Sequence, residues 1–292
     1  MNKEFNKGLL FAGFGSFWWG FFGVLYFKYI TFIGYIELVI HRCLWTTLTL
    51  ILTTFFFSKW DIFFKIIKNK KNLIYLFISG FLIFINWGVW IYAIATNRII
   101  DASFGYFIMP ILSVLLGYIF FKEKLNNKRI FSITLVILSI LYLIFVSLKS
   151  LPWVGLIVAL SWGFYNLVRK KINVDTDIGL LIESLFILPI AIIAFYIIVA
   201  KGYNDFSLSN PSMMLIILLA GPMTVIPLFL YVRGVELCGL GPSGMIFYIT
   251  PTLQFLLGFF YYDEVFSFNK LVSFIIIWFA VIIYLRDLYE TN

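Results

Sequence analysis

Apolar residues run through the chain in ten long stretches, at 8–27, 34–57, 72–95, 99–121, 129–147, 152–169, 177–200, 212–234, 239–262 and 268–286, parted by short polar breaks. Each is near the ~20 residues that carry a helix across a hydrocarbon core of about 30 Å. Only 58–71 and 201–211 are hydrophilic over any length, which leaves no room for a soluble domain. The pattern predicts an all-α membrane protein of ten transmembrane helices, with neighbours in sequence packing as neighbours in space.

One stretch occurs twice. Residues 103–123 and 244–264 align at a constant shift of 141, so that Pro110 meets Pro251, Leu116-Gly117 meets Leu257-Gly258, and Glu123 meets Glu264. Weaker echoes keep the same order: Trp19-Gly20-Phe21 against Trp162-Gly163-Phe164, and Arg42 against Glu183. The chain therefore divides into a five-helix repeat at 1–148 and another at 149–292. Five is odd, so the second must insert upside down. Inverted repeats about an in-plane axis are a transporter architecture, with the site near the midplane between the halves.

Charge supports this reading. Sixteen of the 22 Lys and Arg fall on one side of the spans, in clusters such as Lys59–Lys71, Lys122–Arg129 and Arg169–Lys171. Five fall on the other (Lys28, Arg98, Lys149, Lys201, Lys270), and Arg42 lies within a span. The positive-inside bias places both termini in the cytoplasm. The net charge of +8 thus reports orientation and not nucleic acid. Residues 1–7 are too short for a separate n-region with a cleavage site, so the first span reads as a retained helix.

Composition sharpens the class. Mean hydropathy is +1.01, with 62% hydrophobic and 12% charged residues, which excludes an ordinary soluble domain. The 35 Phe, 17 Tyr and 9 Trp exceed what interfacial belts need and point to a lined cavity or an aromatic core. Cys43 and Cys238 lie within or beside apolar spans and form no CxxC or disulfide framework. No metal or other cofactor is expected.

Charges inside spans are the sharpest chemical signal, since each costs at least ~2.5 kcal/mol at a helix centre. Arg42 falls roughly 12 Å, and Glu183 roughly 9 Å, along their helices from the nearer span end at 1.5 Å per residue. As symmetry mates they are candidate counter-ions; otherwise Arg42 snorkels outward and Glu183 sits in a wetted inner vestibule. Glu37 and His41, one turn apart, are either an interfacial acid with a packing histidine or a proton-coupling pair. Asp101, Arg98 and Glu236 read as interfacial.

Trp18, Trp19, Asn86, Trp87, Trp90, Tyr92, Tyr106, Trp162, Tyr165, Asn166 and Tyr248 all fall inside spans, where ring N–H and O–H groups need partners. As a set, with His41, Arg42 and Glu183, they suggest a mixed aromatic and polar pocket for a small amphipathic solute. Pro110 and Pro251 each remove a backbone donor, giving a hinge or a fixed kink. Gly105, Gly117, Gly244 and Gly258 allow close helix contact, and Gly221-Pro222 with Pro227 bends the eighth span.

Longer strings carry a family likeness. They are Glu37–Arg42 with Trp45, Asn86-Trp87, Ala102–Pro110, Ser113–Gly117 with Lys122–Leu125, Ser161–Tyr165 with Arg169-Lys170, Glu183 before Leu188-Pro189, Ala220–Pro222 and Tyr248–Leu257. Across nearly its whole length the chain resembles the drug/metabolite transporter superfamily with two EamA-type halves, and within it the RarD branch. The resemblance implies ten helices in two inverted bundles around a central cavity, moving small metabolites such as amino acids across the bacterial inner membrane by alternating access. The expected partners are a small solute and membrane lipid, with no nucleic acid, and the chain is expected to be a monomer or weak homo-oligomer. Met109 stands where the family pattern favours Asn. Residues 8–27 hold no glutamate, so the proton-coupling scheme of the small multidrug relatives does not transfer.

An intramembrane enzyme is the first competing reading. It finds one His, no HExxH and no GxSxG. Gly13-Phe-Gly15 and Gly239-Leu-Gly241 lack the strand and soluble βαβ unit of a dinucleotide loop. A channel or structural subunit is the remaining alternative.

Overall fold

Helices form wherever the apolar runs lie, because a backbone without water must satisfy its own hydrogen bonds. The computed structural model describes residues 3–30, 32–95, 99–147, 153–206, 211–261 and 268–291, and among these no strand occurs. The first apolar run is α1 (Lys3–Trp18), a π-helical turn (Trp19–Gly23) and α2 (Val24–Tyr29). Next come α3 (Tyr35–Phe56), α4 (Trp60–Ile67), α5 (Lys70–Ala95), α6 (Ile99–Phe121) and α7 (Asn127–Ser147). The second half holds α8 (Trp153–Lys171), α9 (Thr176–Ala200), α10 (Pro211–Leu218), α11 (Ala220–Cys238), α12 (Leu240–Ile246), α13 (Ile249–Phe260) and α14 (Phe268–Thr291).

Seven stretches of the described residues are helical, long and apolar enough to cross a membrane, against the ten expected. α6 runs over Ile99–Phe121, and only Gly105–Phe121 of it is described to its side chains; α8 ends in Arg169, Lys170 and Lys171. The ninth run is broken at Phe247-Tyr248 into α12 of 7 residues and α13 of 12. Pro251 therefore sits in the first turn of α13, where a missing N–H leaves no bond unmade. Pro110 lies within α6, so the two prolines do different local work. The bend expected in the eighth run falls at Leu219, between α10 and α11. Helix α4 corrects the polar reading of 58–71: its exposed Phe64 and basic Lys65 give it the two faces of an interfacial helix.

The helices pack in pairs that cross the two halves. α1 lies on α11, α3 on α9, α6 on α12 and α7 on α14; α5 contacts α8 and α9, and α3 contacts α11. The main core draws on α1, α3, α5, α6, α8, α9, α11 and α12, with Tyr165, Tyr231 and Leu50 almost fully buried. Phe14, Phe55, Phe145, Tyr196 and Phe279 are each more than half exposed, giving an apolar outer surface suited to lipid tails.

Candidate functional site

Where the first and second halves meet, the interruptions in two helices open a cavity. The π-helical turn contributes Trp19 and Gly23, and α2 contributes Phe27. Arg42 comes from α3, Asn86, Trp87 and Trp90 from α5, and Tyr106 from α6. The second half supplies Trp162 of α8, Phe247 at the break, and Thr250 and Gln254 of α13. The volume is ≈ 40 Å³, space for the centres of about three waters.

Backbone interruptions let these walls approach. Gly20 packs so close to α13 that a Cβ there would sit 3.0 Å from Thr250 Cα and Leu253 Cβ. Thr250 Oγ1 donates to Ser16 O at 2.8 Å, tying α13 to α1. Gly163, the counterpart of Gly20 in the Trp-Gly-Phe echo, faces Leu112 and Leu116 of α6 in the same manner. Trp162 gathers the aromatic wall, with ring centroids 5.0 Å from Trp19, 5.6 Å from Tyr231 and 6.3 Å from Phe247. Asn86 Nδ2 donates to Val158 O at 3.0 Å and to Ser161 Oγ at 3.1 Å, fixing α5 on α8.

Arg42 is the one charged side chain on this wall among the described residues. It is 5% exposed, and Nε donates to Thr224 Oγ1 at 3.1 Å. The guanidinium lies 4.5 Å from the Trp87 ring centroid and 4.8 Å from that of Phe27. Cation–π contact of this kind is worth about 2 kcal/mol when desolvated.

The expected pairing of Arg42 with Glu183 does not form. Glu183 accepts hydrogen bonds from Ser79 Oγ at 2.6 Å and Tyr165 OH at 3.2 Å, and its Oε1 lies 3.5 Å from Arg169 Nε. Arg169 was closer in space than the symmetry mate, because α8 and α9 are joined by a short connection and α3 presents Arg42 elsewhere.

Other expected residues also lie off the cavity. Tyr165 belongs to the Glu183 cluster, and Asn166 Nδ2 bonds its own helix at Trp162 O. His41 Nε2 meets Glu37 Oε1 at 3.3 Å among Trp45, Phe195 and Phe206, while Glu37 accepts N–H bonds from Asp205 at 2.6 Å and Phe206 at 2.9 Å. Glu37 thereby secures the loop after α9. Trp18 turns toward Phe22, 5.1 Å between centroids. Tyr248 OH donates to Phe107 O at 2.9 Å, across a separation of 141 residues.

Seven expected residues do meet at the cavity: Trp19, Arg42, Asn86, Trp87, Trp90, Tyr106 and Trp162. Phe27, Phe247, Thr250 and Gln254 join them without having been singled out. Gln254 carried a signal, an amide in the middle of an apolar run. Phe27 and Phe247 carried none, being two of 35 phenylalanines.

The opposite end of the bundle is closed by charge. Glu123 Oε1 and Oε2 accept the N–H groups of Leu240 and Gly241, both at 2.8 Å, so a first-half carboxylate caps α12. Arg129 Nε meets Asp287 Oδ2 at 2.8 Å, and Lys59 Nζ meets Asp177 Oδ2 at 2.8 Å and Asp175 Oδ1 at 3.2 Å. Burial alone would lower the Lys59 pKa; its bonds to Asp177 and Asp175 outweigh that and raise it. Every one of these contacts joins the two halves.

Residues 6–145 match the EamA-like transporter family. The chain is 33% identical over 286 residues to the uncharacterized transporter YojE of Bacillus subtilis (strain 168), covering 97% of this chain and 95% of that protein. It is 32% identical over 290 residues to protein RarD of Escherichia coli (strain K12), covering 99% and 97%. A solved crystal structure of a protein 13% identical in sequence superposes with a TM-score of 0.71, over 95% of this chain and 96% of that one.

Proposed function

Since the chain belongs to the EamA-like transporter family of the drug/metabolite transporter superfamily, on its RarD-like branch, we propose that it carries small metabolites of about amino-acid size by alternating access. It is a multi-pass membrane transporter. The finer reading is two inverted five-helix halves, 1–148 and 149–292, in the bacterial inner membrane with both termini cytoplasmic.

The observation that carries it is the cavity itself, walled by both halves and closed at one end by contacts between them. The packing pairs support the inverted repeat. Under a shift of 141, α1 on α11 exchanges with α8 on α5, and α3 on α11 exchanges with α9 on α5. α3 on α9, α6 on α12 and α7 on α14 map onto themselves. Tyr248 and Phe107 touch although they are counterparts, as residues beside a two-fold axis do. With the charge clusters in the cytoplasm, the cavity occupies the outer half, an outward-directed state with the inner end latched.

Counterflow in proteoliposomes tests the carrier, with amino acids and short carboxylates as the panel. Saturable, trans-stimulated exchange is expected; flux that never saturates describes a channel, and no flux removes the reading. Sidedness is tested separately by Lys124→Cys and Phe268→Cys, both exposed positions, against the buried native Cys43 and Cys238. An impermeant maleimide should label Lys124→Cys only from the cytoplasmic face and Phe268→Cys only from outside. Labelling of both from one face rejects the inversion.

The latch has its own expectation. Glu123→Ala removes two charge-assisted hydrogen bonds of about 1.5–3 kcal/mol each and uncaps α12. Cys238, buried beside Gly239, should then be alkylated at least several-fold faster by a small permeant reagent. An unchanged rate would show that Glu123 does not hold this end shut.

A further inference from the structure

Within the carrier reading above, we infer that the transported solute is a small organic anion, a monocarboxylate with an otherwise apolar body, and that the free edge of the Arg42 guanidinium receives its carboxylate. A charge held inside a membrane protein needs a counter-charge or a polar cage, and Arg42 has little of either. Its Nε is engaged by Thr224, while neither Nη group has an acceptor among the described residues and neither is sealed from the cavity space. Among the described residues no acidic side chain comes within 4.0 Å of it. Among the described residues the cavity wall contributes no Asp or Glu.

The neighbours act on orientation and not on charge. Phe27 and Trp87 lie against the guanidinium, and Thr224 holds Nε, leaving the planar pair of Nη donors without a hydrogen-bond partner among the described residues of the cavity wall. That fork matches a carboxylate bidentately, which an ammonium would not do. Across the cavity stand rings, Trp19, Trp162 and Phe247, with the amide of Gln254. These suit an apolar body and offer no anion to an ammonium group. A zwitterion would bring a positive charge into a wall that is already positive; a free cation would be repelled outright. The limited volume restricts the body to a few heavy atoms in this state of the protein.

Thermal shift on the purified full-length protein, in a chloride-free buffer, separates the classes. Propionate is compared with propionamide, which removes the charge at constant shape, and with alanine, which adds an ammonium; benzoate and benzamide repeat the comparison with a larger body. Propionate or benzoate should raise the melting temperature, and the amides and alanine should raise it far less. Arg42→Gln should weaken carboxylate binding about tenfold to a hundredfold, the loss of a hydrogen-bonded charge. Arg42→Lys keeps the charge without the fork and should fall between. Thr224→Val, which leaves Arg42 in place, covers the case in which Arg42→Gln does not fold, with an expected loss of about two- to tenfold.

Alanine shifting as far as propionate overturns the proposal, and so does a chloride shift equal to that of propionate. It is equally overturned if no carboxylate shifts the wild type, or if carboxylate binding survives Arg42→Gln or, where that variant does not fold, both Arg42→Lys and Thr224→Val undiminished. Saturable counterflow of another solute alongside any of these results leaves the carrier reading standing and sinks only the anion. Arg42-dependent carboxylate binding without counterflow of any solute sinks the carrier reading alone.

Discussion

Arg169→Met is expected to lower stability by about 3–5 kcal/mol, the usual cost of removing one partner from a buried ion pair. Arg169 is wholly buried on α8, with Nε 3.5 Å from Glu183 of α9 and Nη2 3.5 Å from Glu236 of α11. Nη2 also donates to Thr176 O at 3.2 Å. One cation therefore joins three helices. Without it, Glu183 is left buried with no counter-charge, while Glu236 keeps Arg233 Nη1 at 3.0 Å. The space for it depends on Gly179, where any Cβ would collide with the guanidinium.

The double variant Arg169→Met with Glu183→Met distinguishes charge from packing. If the loss comes from a stranded carboxylate, removing that carboxylate too should restore part of it, because apolar replacements of a whole buried pair are often tolerated. Thermal unfolding of the detergent-solubilised protein, followed by size exclusion, reads the difference. A double variant as unstable as Arg169→Met, or less stable, would show that the cluster acts through shape.

Gly234→Val should separate α1 from α11 and empty the site with it. A Cβ at Gly234 would stand 2.6 Å from Ala12 N and 2.9 Å from Ala12 Cα, and backbone on both sides has nowhere to go. Overpacking typically costs about 1–3 kcal/mol and more where nothing can yield; the upper end is expected here. The consequence reaches function because α1 leads directly into the π-helical turn that presents Trp19, while α11 carries Thr224 against Arg42. Loss of monodisperse protein, or a much lowered melting temperature with no solute binding, is the expected result. Gly88→Ala is the control: a Cβ there meets nothing within 4 Å, so the change should be neutral or gain about 0.5–1 kcal/mol from helix propensity. Equal melting temperatures for Gly234→Val and Gly88→Ala would refute the close crossing.

The aromatic wall shows where a chain of this composition hides its site. Trp19, Trp87 and Trp162 were identifiable because tryptophan inside a span needs a partner for its N–H. Phe27 and Phe247 have no polar atom, and nothing local separates them from the phenylalanines that face lipid. The π-helical turn at Trp19–Gly23 contains Gly20 and Gly23, and the break at Phe247-Tyr248 comes just before Pro251, which has no N–H for Phe247 O; these residues marked a weak point without saying what form it takes.

What the residues determine unaided is whatever the bilayer enforces on each segment separately. An apolar run of some 20 residues must become helix, whatever its neighbours do, and a lysine cluster stays on the side where it is left. The duplicated stretch is likewise a property of the string, read by alignment alone. Partner choice is of another kind. Arg42 and Glu183 stand at matching places in the two halves, and symmetry suggested them for each other. Helix packing instead gave Glu183 to Arg169 and left Arg42 between two rings with its edge free. Such pairings depend on ångström separations between helices far apart in the chain, set by the joint packing of all of them, and no run of residues read singly contains that information.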